Sequence, residues 1–215
     1  MGRDSIHTPY HTATDVKVPS VTTIIGNNLG WNKHVLLGWT RKKMNEGIDP
    51  IRIRDFAGEV GTVAHGLVEQ FFTGEVFNIY EYPSEAVTAA QVSYDAFLAF
   101  ESTNDLKMEG CEVPAVHEDL LYGGTIDWVG EMNGERCMID FKTSSSVHED
   151  HYIQLSAYRE LYNHVYGENI QKAYLLHMDK MTGHPTLHTI TDFSKYWRIF
   201  EILLELNTLR SEIGG

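Results

Sequence analysis

Two short segments carry acid and base side chains at a spacing suited to metal-assisted chemistry: Thr125-Ile126-Asp127-Trp128 and Ile139-Asp140-Phe141-Lys142. Midway between Asp127 and Asp140 stands Asn133-Gly134, the strongest short signal for a two-residue hairpin turn. Folding that hairpin brings Asp127 roughly opposite Asp140. Strand side chains alternate, so Asp140 and Lys142 point to one face while Ile139 and Phe141 point to the other. Two facing carboxylates repel unless a cation sits between them. Oxygen ligands so arranged suit Mg²⁺ or Mn²⁺, which keep several waters and hold phosphate oxygens. A lysine beside such an ion orients or deprotonates an attacking water and stabilises charge developing on phosphorus. The set is one for phosphodiester hydrolysis. An Asp-x-Lys pair alone is common on exposed sheet faces and worth little. Here both aspartates sit in largely apolar strands, where charge is rarely buried without a partner or a metal.

The elements that must position these residues follow from pattern. Residues 1–18 are polar and read as a loose N-terminal arm. Pro19-Ser20-Val21-Thr22 reads as a capped helix start with Ser20 as N-cap. Trp31 to Met44 is predicted helical, with Arg41-Lys42-Lys43 near its C-terminal end, where cations are favoured. A third helix is predicted over 55–73; within it His65 and Glu69, four apart, share one face. Pro83-Ser84 starts a long helix with Ser84 as N-cap, and Ala86, Ala89, Ala90, Phe97 and Phe100 form its apolar stripe. Strands are predicted over 110–118, 121–132 and 135–142, then a helix near 151–166. Strands over 171–179 and 186–191 follow, joined through Thr182-Gly183, and a last helix covers 193–210. Helices, a three-stranded meander, a helix and further strands predict an α/β or α+β fold with a mixed sheet.

In this order the segments resemble the PD-(D/E)XK nuclease superfamily, in particular its RecB-like exonuclease branch. Gly61-Thr62-x-x-His65-x-x-x-Glu69 resembles the helical first motif and Gly124-Thr125-Ile126-Asp127 the second. Ile139-Asp140-Phe141-Lys142-Thr143 resembles the third, and Gln154-x-x-x-Tyr158 the Q-x-x-x-Y helix of this branch. Pro19-Ser20-Val21-Thr22 resembles a leading segment of related phage and mitochondrial exonucleases. The second motif reads Ile-Asp rather than Pro-Asp, as is usual in this branch. The resemblance implies an α/β fold with a restriction-endonuclease-like core, a mixed central β-sheet flanked by helices, and a helical N-terminal region, all in one domain over 19–215. It implies that His65, Asp127, Asp140 and the backbone carbonyl of Phe141 ligate Mg²⁺ or Mn²⁺ and that Lys142 acts on the nucleophilic water. Glu69 would reach a second metal or hold a ligand by hydrogen bond, and Gln154 and Tyr158 would position DNA or Lys142. The implied activity is a metal-dependent deoxyribonuclease, an exonuclease rather than an endonuclease. It would act on single-stranded DNA or duplex ends in recombination, replication or repair, with a protein partner from those processes and a phage or bacterial setting.

Composition bounds these readings. The chain has 215 residues, 42% of them hydrophobic, enough for a core of ordinary size. No apolar run approaches the roughly 18–20 residues that span a bilayer. The first residues lack the apolar stretch of a signal peptide, so a cytoplasmic location is expected. The two cysteines, Cys111 and Cys137, are too few for a four-cysteine cluster and read as small buried apolar residues, which sets the chain apart from relatives that carry an iron–sulfur cluster. A net charge of −13 argues against nucleic-acid binding by the whole surface but allows a local basic groove. Candidate DNA contacts are Arg41, Lys42, Lys43, Arg52 and Arg54, with Trp31 and Trp39 able to stack on bases; as helix-face cations and core tryptophans they have a plainer explanation. His148 and His151, and His7 and His11, are too few for a closed zinc site. The rival readings are a catalytically idle nuclease-fold protein that binds nucleic acid or a partner, and a metal-dependent hydrolase of another substrate class.

Overall fold

The computed structural model describes residues 9–190 and 192–214. A five-stranded mixed sheet runs β3 (Leu106–His117), β4 (Tyr122–Met132), β5 (Glu135–Lys142), β6 (Lys172–Met178) and β7 (Pro185–Ile190), in that spatial order. Only β5 and β6 pair in parallel, and α5 (Glu149–Tyr166) makes the crossover between them. The sheet is flanked on one face by α1 (Val21–Asn28), α5 and α6 (Ser194–Gly214), and on the other by α3 (Pro50–Thr73) and α4 (Ser84–Glu101). This is the α/β architecture with a mixed central sheet that the motif order implied, with the helical region α1–α4 ahead of it.

Burial on both faces explains why the central strands are continuously apolar rather than alternating. Met138 packs with Ile153, Leu161 and Phe200, while its neighbour Ile139 packs with Phe97, Trp128 and Leu176. Leu175 and Leu176 divide in the same way. A third cluster joins α3 to α4 through Val60, Val63, Ala64, Ala86 and Ala90.

Local chemistry sets the boundaries. Ser20 caps α1 by accepting from the Thr23 N–H at 3.0 Å. Asp49 caps α3 by accepting from Ile51 N–H at 2.9 Å, with Pro50 as first helical residue. The α3 helix therefore begins before the predicted 55. Asn133 and Gly134 both take positive φ, 54° and 80°, as a type I′ hairpin requires, and Met132 pairs with Glu135 across the turn.

Three expectations are corrected. Ser84 is the first residue of α4 rather than its cap; the carbonyl of Pro83 accepts from the Ala86 and Val87 N–H groups. Within the presumed loose arm, β1 (Tyr10–His11) and β2 (Lys17–Val18) pair antiparallel, and Tyr10 hydrogen-bonds Thr125 at 2.8 Å. Residues 1–8, His7 among them, lie outside the described residues, as does position 191 at the end of the last predicted strand. Finally, α2 (Lys33–Asn45) buries none of its residues, and Trp31 just before it is 53% exposed rather than core. The helix meets the rest of the fold mainly through α3, which leaves most of its apolar side chains exposed.

Candidate metal centre

The hairpin register carries Asp127 level with Asp140, because Trp128 pairs with Ile139. That rung is the last of the β4–β5 ladder, and beyond it the two strands part. The Asp127 carboxylate enters the gap and accepts from Phe141 N–H at 2.8 Å. Side-chain alternation also breaks here: Ile126 packs on the α1–α5–α6 side and Trp128 on the α3–α4 side, although they are two apart. On the other flank Cys111 pairs with Trp128 and Val113 with Ile126, so Glu112 is the residue opposite Asp127. Glu112 has φ 49°, a left-handed conformation that costs an ordinary side chain about 1–2 kcal/mol. Such outliers persist where the surroundings dictate them.

The α3 helix completes the group. His65 Nε2 donates to the Phe141 carbonyl at 3.1 Å, which turns Nδ1 toward Glu112 Oε1 and Asp127 Oδ2, each 3.7 Å away. One ligand atom from each of His65, Glu112 and Asp127 lies within 4.8 Å of the others. Burial opposes charge on His65, yet Asp127 and Glu112 more than compensate and raise its pKa to about 9. Burial raises the pKa of Asp127, partly offset by His65 and reinforced by Glu112. Glu69, one turn along α3, is raised by burial and by Glu112.

Asp140 is 2% exposed. Lys142 Nζ reaches its Oδ2 at 2.6 Å, but Oδ1 has no hydrogen-bond partner among the described residues. Burial lifts its pKa to about 6 against the pull of Lys142 and with the repulsion of Asp127. A buried carboxylate oxygen without a partner, within electrostatic reach of Asp127 and His65, fits a hard divalent cation held by oxygen ligands with one nitrogen. Burial favours the protonated forms of Asp127 and Asp140, against the pull of His65 and Lys142.

The Q-x-x-x-Y pair is bound to itself: Gln154 Nε2 donates to the Tyr158 hydroxyl at 3.0 Å. Burial, reinforced by the charges of Asp140 and Asp127, pushes the Tyr158 pKa well up. Gly124 of the second motif makes room for that ring, since a Cβ there would lie 2.5 Å from Tyr158 Cε1. Two motifs far apart in sequence are thus two sides of one contact.

The structure gathers His65, Glu69, Asp127, Asp140, Phe141, Lys142, Gln154 and Tyr158 in one region. Glu112 was missed. Its only sequence signal is its place on the strand that precedes the second motif. The five cations proposed as DNA contacts do not join this group: Lys43 pairs with Glu46 at 2.7 Å and Arg54 with Asp55 at 2.7 Å. Arg52 shares a cleft with Asp49, Asp55, Glu59 and Glu85, while Arg41 and Lys42 lie exposed on α2. His148 and His151 serve the start of α5, where His148 N–H donates to His151 Nδ1 at 3.2 Å. Cys137 is buried as expected, whereas Cys111 is only half-buried.

A second histidine–carboxylate set, His117, Asp119 and His164, lies where the β3–β4 turn meets the end of α5. Its imidazoles are stacked, 3.7 Å apart and 13° from parallel. An ion bound in the plane of one ring is out of the plane of the other. His117 Nδ1 is also occupied, accepting from Leu120 N–H at 3.2 Å. The stacking disfavours one ion shared by both imidazoles, although ligand atoms of His117, Asp119 and His164 lie within 4.8 Å of one another.

No family model matches this chain, and no curated protein matches it. Among solved structures it is similar to the protein SSO0001, at 16% identity over 58% of this chain and 62% of that one, with a TM-score of 0.33. It is also similar to a protein described as "Putative exonuclease" from Eubacterium rectale, at 16% identity over 72% of this chain and 65% of that one, with a TM-score of 0.45. The chain spans less than two thirds of the length of either. No helix among the described residues is long and apolar enough to cross a membrane.

Proposed function

We propose that this chain is a divalent-metal-dependent deoxyribonuclease of the PD-(D/E)XK superfamily, of its RecB-like branch, acting as an exonuclease on DNA ends. The observation that carries the reading is Asp140: a buried carboxylate with a partnerless oxygen, touched by Lys142 and within electrostatic reach of Asp127 and His65, two members of the His65–Glu112–Asp127 group. In this reading His65, Glu112, Asp127, Asp140 and the Phe141 carbonyl hold Mg²⁺ or Mn²⁺. When bound, the ion supplies Lewis-acid stabilisation of the phosphoryl oxygens and a more acidic water.

The chain's own groups do the rest. Lys142 Nζ, anchored on Asp140, orients the attacking water and takes or relays its proton. His65 fixes the Phe141 carbonyl through Nε2–H and leaves Nδ1 as the nitrogen that can ligate. Tyr158, held by Gln154, closes the region behind the aspartates against water. Glu69 adds negative charge one helical turn away, within reach of a second ion. A cytoplasmic role in recombination, replication or repair, with a protein partner from those processes, belongs to the same reading.

The test is cleavage of labelled single- and double-stranded DNA with Mg²⁺, Mn²⁺ or EDTA. Metal-dependent cleavage that falls by at least about a hundredfold in Lys142→Ala is expected. Undiminished cleavage by that variant overturns the reading. Tight DNA binding without cleavage would favour a catalytically idle binding protein. Circular against end-labelled substrates separate endonuclease from exonuclease.

A further inference from the structure

A cleft of about 300 Å³ opens between the segment leading into α2 and the start of α5. Leu29, Trp31, Val147, His148 and Tyr152 line it, together with the acidic Glu149 and Asp150. The chain itself ties the cleft to the metal centre. Val147 and His148 follow Lys142 by five and six residues, so even an extended chain would keep them within about 20 Å of it. The segment is not extended: Ser144 Oγ donates to the Ser146 carbonyl at 2.7 Å, and His177 Nε2 to the Ser144 carbonyl at 2.6 Å. His148 in turn bonds His151, which lies within reach of the Lys142 and Asp140 charges.

The lining selects its occupant by size and charge. The volume is at the lower end for ligand pockets, enough for one planar heterocycle and too little for a base pair. Its charged residues are carboxylates, with no lysine or arginine among them, so a phosphate is repelled and an uncharged base is not. The Trp31 ring is half open to solvent, while Tyr152 is held in place by its hydroxyl contact with His188 at 3.4 Å and its ring contact with Tyr196. An open indole beside a fixed phenol is a stacking platform, and stacking tolerates any base because every base has a π-face.

We infer that this cleft takes an unpaired nucleobase of the strand being cut, stacked on Trp31 and bordered by His148 and Tyr152. The inference rests on the nuclease reading and deepens it: the substrate is a strand whose bases near the scissile phosphate are unpaired.

The probe is a fluorescein-labelled oligodeoxyadenylate, with a blunt hairpin duplex for comparison. Binding is read by anisotropy in Mg²⁺ with the Lys142→Ala chain, which cannot turn the probe over. Adding Trp31→Ala is expected to weaken single-strand binding by about tenfold or more, with Trp31→Phe retaining most of it and duplex binding unmoved. In the otherwise native chain Trp31→Ala raises KM more than it lowers kcat, as loss of binding common to ground and transition states does. Trp31 is exposed, so the fold is not at risk, and His148→Ala provides a second variant. If the native chain cuts the single strand, Lys142→Ala does not, and Trp31→Ala behaves as native, the subsite is refuted and the nuclease reading stands. Preferential cutting of blunt duplex refutes the subsite alone. If the native chain cuts neither the oligonucleotide nor the duplex with Mg²⁺ or Mn²⁺, both fall.

Discussion

Asp140 carries an electrostatic penalty that the chain does not offset by itself. The folded state holds its proton more tightly than the unfolded chain does, since burial lifts the pKa from 3.8 to about 6. Stability from this group is therefore full below about 4 and is lost as pH rises through about 6. At neutral pH the ionised form strains the fold, and asparagine removes the charge while keeping the shape. In EDTA at pH 7, Asp140→Asn is expected to raise the free energy of unfolding by about 1–3 kcal/mol, while abolishing metal-dependent cleavage. Urea unfolding of both chains is the measurement. A destabilised variant would mean that Lys142 already satisfies the carboxylate, and that no cation is called for. This opposition between stability and activity is typical of residues retained for chemistry.

At the scale of elements, the site is built where regular structure gives way. The Asn133-Gly134 turn made the β4–β5 register legible, because a two-residue turn fixes which residues face each other. Glu112 was not legible, because its place depends on a left-handed backbone and on pairing with a strand whose alternation breaks at Asp127. Local pattern encodes neither. The β1–β2 hairpin and the exposure of Trp31 were missed for the same reason: both depend on what tertiary neighbours offer or withhold. The link between Gly124 and Tyr158 was legible as two motifs but not as one contact. Gly124→Ala is expected to destabilise by about 1–3 kcal/mol through overpacking and to displace the tyrosine, lowering activity. Combining it with Tyr158→Leu should restore stability without activity, as chemical denaturation and cleavage assays together would reveal. The start of α5 gives a pH prediction. His148 N–H donates to His151 Nδ1, which must then be unprotonated, and burial followed by the Lys142 charge lowers this pKa to about 4. The folded state rejects the proton, so stability is full above about 6.5 and is lost as pH falls toward 4. Relative to a His151→Gln variant, the native chain should lose on the order of 1 kcal/mol between pH 7 and pH 5. Parallel unfolding curves at the two pH values would disprove this.

For the whole molecule, the candidate metal centre draws one side chain from each of three paired strands and one from the helix packed against them. Glu112 comes from β3, Asp127 from β4, Asp140 from β5 and His65 from α3. An ion held by these groups would tie the strands at the point where the β4–β5 ladder ends, and it would relieve repulsion within a chain of net charge −13. Binding confined to the folded state stabilises all of it, by about 2.7 kcal/mol at a hundredfold excess over Kd. For a chain of this length that corresponds to a rise in Tm of about 5–10 °C on replacing EDTA with saturating Mn²⁺ or Mg²⁺. The rise should be smaller in Glu112→Gln and absent in Asp127→Asn, both of which lie away from the competing His117–Asp119–His164 group. Differential scanning calorimetry reads the effect without any substrate, so it tests the site independently of catalysis. A rise that persists in Asp127→Asn but disappears in His164→Ala would assign the ion to the stacked histidines instead. The four-element centre would then be a charged, strained and metal-free seam in the sheet.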